Sequence, residues 1–263
     1  MKKLSDIPFV SVIINTVDRP TDLKRCLAAV LNQSYRNFEI VVVNNGLGAE
    51  TPELLRSFSQ SLPDDLKLKI VEDKMKKLSY LFNLGWKRAD PKAEIFAYCA
   101  DDTEPDIDWL KQAATYLKDN PECGGVSGPT LATTNPPGEM FALRDLMKKN
   151  LLTRFILRLY EYFVMEDKTL EPGYWPESGA FTMGAGIPLP HIKKPLEIDL
   201  LTSGNMAVTR TAMASVNGFD ENFLFNHADG DLFIRLKKKG WRLVFHPRVK
   251  VLHHMRFGPT RYP

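Results

Sequence analysis

The sequence predicts an α/β fold, a single domain built around a mostly parallel β-sheet with helices on its faces. Short runs of nearly all-apolar residues recur, which is typical of strands buried on both sides. These runs alternate with patterns of apolar residues at helical spacing, the order expected of parallel strands joined by helices. At 263 residues the chain has a length at which α/β folds commonly remain one domain. We therefore expect one domain over residues 1–263.

The first part of the chain is a series of strand and helix units. Apolar, mostly β-branched runs predict strands at residues 10–15, 38–43, 66–71 and 95–99. Helical spacing of apolar residues predicts helices at residues 23–31, 52–60 and 78–88. Because sheets of this kind bind their ligands at the carboxyl ends of the strands, we expect the functional residues just after these strands.

The second part of the chain is less regular. Its pattern predicts helices at residues 109–117 and about 229–239, and strands at residues 124–130, 201–208 and 242–245. Residues 250–252 also resemble a strand. Loop-rich segments surround Pro136-Pro137 and residues 171–190, and a long loop in a compact domain is often a lid over a ligand.

Composition excludes several classes of protein. The three cysteines, Cys26, Cys99 and Cys123, are odd in number and widely spaced, which argues against a disulfide framework or a zinc site and favours the cytoplasm. No apolar run reaches the roughly 18 residues of a spanning helix, so we expect no integral membrane segment. A net charge of +3 is too small to indicate a nucleic-acid partner.

Two acids follow the fourth predicted strand. Asp101 and Asp102 come directly after it, at the edge where such a sheet binds its ligand. Adjacent carboxylates repel unless a cation joins them, and oxygen ligands of this kind suit Mg²⁺ or Mn²⁺ together with substrate phosphates. The spacing is equally compatible with a solvated turn or a helix cap before residue 109.

Further candidates lie late in the chain. Asp229 and Asp231 precede and begin an amphipathic helix, where an acid is more often an N-cap than a general base. His253 and His254 follow a strand-like segment, and such a pair is more often made of ordinary surface or core histidines than of ligands. The residues alone leave both alternatives open.

Several motifs in order resemble glycosyltransferase family 2. The opening strand VSVIIN with its turn TVDRP, and LAAVLNQSY followed by FEIVVVNNG, resemble the start of the family. Leu78-Ser79 with Asn83 and Gly85 resembles the helix before the metal-binding strand. SGNMA, GFDE and the spacing of Asp229, Asp231 and Arg235 resemble the acceptor half of the family. The resemblance extends from Val10 to His253.

The resemblance implies a GT-A fold and an inverting transfer from a nucleotide-diphosphate sugar to a glycan or lipid-linked acceptor. The nucleotide-sugar-binding half would span about residues 8–105, and the acceptor-binding half about residues 106–263. The resemblance assigns the general base to Asp229 and the metal, Mn²⁺ or Mg²⁺, to Asp102 and His253. It assigns the donor to a further set of residues: Asn15, Val17, Asp18, Asn45 and Asp101.

Three residues depart from the commonest family pattern. Ala100 replaces an additional acid, and Ala228 replaces the glutamate before the base, which leaves Asp229 a better candidate than Asp231. Asn45 stands where an aspartate often pairs with the imide of the base, and an amide can both donate and accept. We therefore expect a UDP- or dTDP-sugar rather than a GDP-sugar.

Residues 141–165 combine large apolar side chains with arginines and lysines. A basic amphipathic helix can lie at the cytoplasmic face of a membrane, and the same pattern suits a helix packed on the protein's own sheet or on a dimer partner. The protein is expected to be cytoplasmic, with a peripheral membrane contact as a hypothesis.

Three competing interpretations share part of this pattern. A nucleotidyltransferase or a Rossmann dehydrogenase would need glycines in the loop after the first strand, and residues 16–20 contain none. A non-catalytic protein that keeps the fold and binds nucleotide-sugars, or acts as a scaffold, is the alternative suggested by Ala100 and Ala228. Asp102, Asp229 and His253 favour the enzyme.

Overall fold

The first part of the chain folds as alternating strands and helices in the computed structural model, which describes residues 4–133, 149–182, 189, 191–224 and 227–254. The strands and helices, in chain order, are β1 (Val10–Thr16), α1 (Pro20–Leu31), β2 (Phe38–Asn44), α2 (Glu50–Gln60), β3 (Leu68–Glu72), α3 (Leu78–Arg88) and β4 (Ile95–Ala100). Each predicted strand and helix of this part is confirmed, to within a few residues at its ends.

The second part contains shorter strands. Its elements, in chain order, are β5 (Thr103–Pro105), α4 (Trp109–Asp119), β6 (Cys123–Ser127), β7 (Thr130–Ala132), α5 (Leu151–Phe163), β8 (Leu196–Ile198), β9 (Asn205–Thr209), α6 (Arg210–Ser215), α7 (Ala228–Lys238), β10 (Arg242–Phe245) and β11 (Val251–His253).

The central sheet has eight strands, in the order β3-β2-β1-β4-β9-β6-β10-β8. Strands β3, β2, β1 and β4 are parallel neighbours. Strand β9 runs antiparallel between β4 and β6, and β8 pairs antiparallel with β10 at the edge. Strand β10 is parallel to β6. The sheet is therefore mostly parallel, as the sequence predicts, and continuous across both parts of the chain.

A small second sheet joins distant segments beside the end of β4. Strand β11 lies between β5, with which it is antiparallel, and β7, with which it is parallel. Thr103 is paired with His253 in this sheet. The second sheet therefore brings the end of the described chain next to the turn that follows β4.

Three predicted strands are corrected by the structure. The strand predicted at 66–71 begins at Leu68, because residues before it form a turn in which the Leu66 N–H donates to Pro63 O at 3.0 Å. The strand predicted at 124–130 divides into β6 and β7 around Gly128, whose added Cβ would lie 2.2 Å from Val249 O. The strand predicted at 201–208 begins at Asn205, after a turn in which the Asn205 N–H donates to Thr202 O.

Helices cover both faces of the sheet. Val12 and Ile14 of β1 belong to the apolar cluster that includes α1 and α4, whereas Ile13 belongs to the cluster on the opposite face with α7. The three cysteines are buried and free. In the described ranges no helix is long and apolar enough to cross a bilayer.

Candidate active site

Asp101 lies at the turn between β4 and β5 and is buried. The Thr16 hydroxyl, at the end of neighbouring strand β1, donates to its Oδ2 at 2.8 Å, and Arg19 Nη1 donates to its Oδ1 at 3.3 Å. Burial raises the pKa of Asp101 to about 6, against the opposing effects of Arg19 and Thr16. Asp101 is thus held inward by groups from the β1 loop and is not part of a solvated turn.

Asp102 faces a different partner. His253 Nε2 lies 3.2 Å from its Oδ1, and Arg19 Nη1 lies 3.8 Å from its Oδ2. Burial opposes ionisation of Asp102, but the hydrogen bond from His253 and the charges of His253 and Arg19 outweigh it and lower the pKa of the carboxyl. Asp102 is therefore an ionised carboxylate with an imidazole beside it.

The small sheet fixes this pair of residues. The His254 N–H donates to Asp102 O at 2.9 Å, directly continuing the register in which Thr103 faces His253. The Thr103 hydroxyl donates to Ala100 O at 2.8 Å and tightens the same turn. The predicted metal ligands Asp102 and His253, which are far apart in the chain, are therefore brought together by backbone pairing.

The donor atoms of Asp102 and His253 suit a divalent metal. A carboxylate oxygen and a neutral imidazole nitrogen are both ligands of Mn²⁺, whose remaining positions phosphate oxygens and water can fill. Within the described ranges, no group of three or more His, Cys, Asp or Glu side chains could hold a metal ion. A metal at this point would therefore depend on oxygens of the substrate for part of its coordination.

Arg19 is the residue of this site that the sequence prediction missed. The TVDRP motif indicates only a turn at Arg19, yet Arg19 Nη1 lies within 4 Å of both aspartates. The available signal was its position: it follows β1, which is the sheet neighbour of β4, so its loop lies beside the turn of Asp101 and Asp102. Its positive charge offsets the repulsion between two adjacent carboxylates.

The residues predicted to hold the nucleotide base lie at the ends of β1 and β2. Asn15 is in β1, and neither its amide nitrogen nor its amide oxygen has a hydrogen-bond partner among the described residues, although both atoms are buried. Val17 is half-buried just beyond β1. Asn45 follows β2, and its N–H donates to Thr16 O at 3.1 Å. A buried amide without partners is a group that a ligand can satisfy.

Asp18, also predicted to contact the donor, has a structural role in the described chain. Its carboxylate accepts hydrogen bonds from the backbone N–H groups of Leu47, at 3.0 Å, and Gly48, at 2.8 Å. Asp18 itself has a positive φ of 45°. These bonds join the β1 loop to the β2 loop and hold both around the place where Asn15 and Asn45 lie.

Asp229 lies in the first turn of α7 and is half-buried. Its Oδ1 accepts from the Gly230 N–H at 2.9 Å. Asp231, in contrast, receives a hydrogen bond from Arg235 Nε at 2.8 Å, one helical turn away, so it supports the helix as predicted. The two acids of the motif therefore have different environments.

The N-terminus of α7 lies at the same edge of the sheet as Asp101 and Asp102. Helix α7 directly precedes and contacts β10, which is parallel to β6, so the helix begins at the carboxyl edge. The Leu78 N–H, at the start of α3, donates to Leu224 O at 3.0 Å, which brings the chain before α7 to that edge as well. Asp229 thus shares this edge with the acidic turn.

The SGNMA motif proves to be structural at its asparagine. Asn205 is fully buried, and its Oδ1 accepts from Trp109 Nε1 at 2.8 Å. Its amide nitrogen donates to Gly128 O at 3.1 Å and Val249 O at 3.0 Å. The side chain therefore joins β9 to α4 and to the segments that lead into β7 and β11.

The predicted lid is only partly within the described chain. Tyr174, Trp175 and Gly179 lie in loop structure, whereas Gly184 and Gly186 lie outside the described residues. Trp175 is 37% exposed and therefore does not pack in the interior, and its backbone N–H donates to Asp199 Oδ2 at 2.9 Å.

Comparison with known proteins identifies the family. A model of glycosyl transferase family 2 matches residues 11–168, which is more than half of the chain. The chain belongs to glycosyltransferase family 2. The family expected from the ordered motifs is confirmed, and with it the enzyme class, a glycosyltransferase.

Two relatives are similar to the chain over most of its length. Glycosyltransferase AglE of Haloferax volcanii is 29% identical over 182 residues, which cover 65% of this chain and 57% of the relative. The N-acetylglucosaminyl-diphospho-decaprenol L-rhamnosyltransferase of Mycobacterium tuberculosis is 24% identical over 264 residues, which cover 98% of this chain and 78% of the relative.

A solved structure supports the GT-A fold. The mannosyltransferase PcManGT from Pyrobaculum calidifontis, in complex with GDP-Man and Mn²⁺, matches with a TM-score of 0.62 at 20% identity. The match covers 96% of this chain and 58% of the mannosyltransferase chain. At this identity the match bears on the fold, which is the one the sequence predicts.

Proposed function

We propose that this family 2 member is an inverting, metal-assisted glycosyltransferase that uses a nucleotide-diphosphate sugar. The observation that carries the proposal is the pair of Asp102 and His253, 3.2 Å apart at the ligand-binding edge of the sheet. An ionised carboxylate and an imidazole at that edge match the chemistry of a divalent cation bound to a diphosphate.

The donor is proposed to bind across the ends of β1, β2 and β4. Asn15, Val17 and Asn45 hold the base, with the unpartnered amide of Asn15 supplying a donor and an acceptor. Asp101 orients the ribose, and Asp18 shapes the pocket through its bonds to the β2 loop. Asp102 and His253 would hold Mn²⁺ or Mg²⁺, and a bound cation would supply Lewis-acid neutralisation of the charge on the leaving diphosphate.

Asp229 is proposed as the general base. Its carboxylate takes the proton of the acceptor hydroxyl while the hydroxyl oxygen forms a bond to the anomeric carbon. The bond from that carbon to the diphosphate oxygen breaks on the opposite side, and the nucleoside diphosphate leaves with its electron pair. One displacement of this kind inverts the anomeric centre. Asp231 is engaged by Arg235, which supports Asp229 for this role.

The identity of the nucleobase in the sugar donor is a further proposal. Asn45 can both donate to and accept from the imide edge of uracil or thymine, so we favour a UDP- or dTDP-sugar. The GDP-Man in PcManGT is not in line with this preference. The similarity of PcManGT to this chain concerns the fold. The preference therefore depends on the amide side chain alone.

The acceptor is proposed to be a glycan or a lipid-linked saccharide. One relative carries a lipid-linked sugar, N-acetylglucosaminyl-diphospho-decaprenol, in its name. A cytoplasmic protein that uses such an acceptor must reach the membrane surface, and a peripheral contact through residues 141–165 would allow this. Residues 141–148 lie outside the described chain, so this contact depends on the part that includes α5.

A panel of nucleotides tests the proposal. The thermal unfolding midpoint would be measured with UDP, dTDP, GDP and CDP, each with and without Mn²⁺, because a ligand that binds only the folded state raises it. We expect a shift with UDP or dTDP that requires Mn²⁺. A shift with GDP alone would refute the preference for a uracil or thymine base. No shift with any nucleotide would contradict the proposed donor site and support a non-catalytic scaffold.

A further inference from the structure

Helix α5 has its apolar side chains on the outside of the molecule. Leu157 is buried, and the residues one turn before and after it, Thr153 and Glu161, are half-buried, so one narrow stripe of the helix faces the protein. The other large apolar side chains are exposed, among them Leu151 at 75%, Phe155 at 61% and Phe163 at 71%. This is the reverse of an ordinary surface helix, whose apolar stripe faces the core.

The exposed apolar surface is wide. At 3.6 residues per turn, the exposed side chains of α5 cover about half of the helix circumference. We call this surface the outer face of α5, and it consists of Leu151, Leu152, Phe155, Ile156, Leu159 and Phe163. Tyr160 and Tyr162, which are also exposed, add rings with polar hydroxyls. An apolar surface of this extent on a soluble protein usually marks a binding surface.

The helix is held in this orientation by its ends. Asn150 caps its N-terminus by accepting from the Leu152 N–H at 2.8 Å. Beyond its C-terminus Met165 is buried, and Ser178 donates to Val164 O at 2.7 Å. The cap and the anchoring contacts do not use the side chains of the outer face, so these side chains remain available to an external surface.

Basic side chains lie along the border of the outer face. Arg154 and Arg158, one turn apart, are exposed between the buried stripe and the apolar side chains, and Lys149 is exposed just before the helix. Arg158 also pairs with Asp167. Apolar and aromatic residues on one face with basic residues at its border are typical of a helix that lies in the headgroup region of a bilayer.

We infer that the outer face of α5 docks on the surface of an anionic lipid bilayer. Thirteen residues give a helix of about 20 Å, too short to span a bilayer and suited to lying in its plane. A dimer of helices would use a narrower apolar seam with charged residues on both sides of it. A bilayer surface can contact the whole apolar half of the helix circumference. This inference rests on the proposed function in one respect, since a lipid-linked acceptor gives the contact a purpose.

Vesicle sedimentation tests the inference. The full chain would be mixed at low salt with vesicles of phosphatidylglycerol and phosphatidylcholine, or of phosphatidylcholine alone. We expect binding to the anionic vesicles that weakens at higher salt, and a fall of about tenfold in the partition coefficient for Phe155→Glu. Ile107→Glu is the matched control, because Ile107 is 60% exposed outside α5 and the substitution changes the charge equally.

Three results would overturn the inference. The first is that the unmodified protein does not bind anionic vesicles. The second is that Phe155→Glu, with Phe163→Glu as a second variant if the first unfolds at a lower temperature, binds as well as the control. The third is a dimer in solution that Phe155→Glu dissociates, without vesicle binding, since the outer face would then belong to a second copy.

This test is independent of the nucleotide panel. Vesicle binding without any nucleotide-dependent stabilisation would leave the outer face as a membrane surface and remove the proposed transferase site. A Mn²⁺-dependent rise of the unfolding midpoint with a nucleotide, without vesicle binding, would support the proposed transferase site and reject the membrane surface on α5.

Discussion

The two parts of the molecule differ in how far their candidate functional surfaces are held by contacts within the chain. At the ends of β1, β2 and β4, the loops are joined to one another by side chains, as in the bonds of Asp18 to Leu47 and Gly48 and of Arg19 to Asp101. In the second part, Asp229 stands in the first turn of α7, and α5 exposes an apolar face. The proposed donor side is thus largely built in advance, whereas on the proposed acceptor side we expect the acceptor and a membrane surface to supply the missing contacts.

This difference suggests a division of labour between binding and reaction. A pocket prepared in advance loses little conformational entropy when a nucleotide binds. A general base needs only to be within reach of the acceptor hydroxyl once the acceptor arrives. Substitutions on the two sides should therefore affect different measurements.

Asp229→Asn should have the largest effect on turnover. The amide cannot take the acceptor proton, so we expect kcat to fall by about 10²–10⁴ while Mn²⁺-dependent nucleotide affinity changes less than about twofold. Single-turnover transfer assays and calorimetry measure the two quantities. Asp231→Asn, which removes the charge of the carboxylate that pairs with Arg235, is the control and should mainly lower stability. Full activity of Asp229→Asn would show that another group is the base.

Asn205→Ala should have the largest effect on stability. The change leaves Trp109 Nε1 and the carbonyls of Gly128 and Val249 without a buried partner, at a cost of about 3 kcal/mol in the free energy of unfolding. Denaturant unfolding checks this value. Asn222→Ala, at an exposed asparagine, should change it by less than about 0.5 kcal/mol. An equally small change for Asn205→Ala would mean that the network contributes little to holding the second part on the sheet.

The sequence predicted the strands of the first part because their physical signal is local. An apolar, β-branched run such as residues 38–43 has few alternatives to a buried strand, and the predicted helix at 78–88 matches α3 at both ends. The reversal of β9 and the short strands β5, β7 and β8 lie outside the predictions, since three-residue strands are defined by partners far along the chain. The strand-like pattern at residues 250–252 does correspond to β11.

The candidate site was predictable only to the level of residue types. Asp101, Asp102 and His253 were selected from motifs, and the structure brings Asp102 and His253 together through β5 and β11. Arg19 was missed because its significance depends on β1 lying beside β4. The structural role of Asn205 was likewise invisible, since three of its partners come from other segments.

The central claim is that Asp102 and His253 hold a divalent metal that a nucleoside diphosphate shares. Calorimetric titration of the protein with UDP or dTDP, in Mn²⁺ and in its absence, tests it in the unmodified chain and in two variants. We predict that Asp102→Asn abolishes the gain in affinity from Mn²⁺ and that His253→Ala reduces it about tenfold. A gain from Mn²⁺ that is the same in Asp102→Asn as in the unmodified chain would contradict the claim.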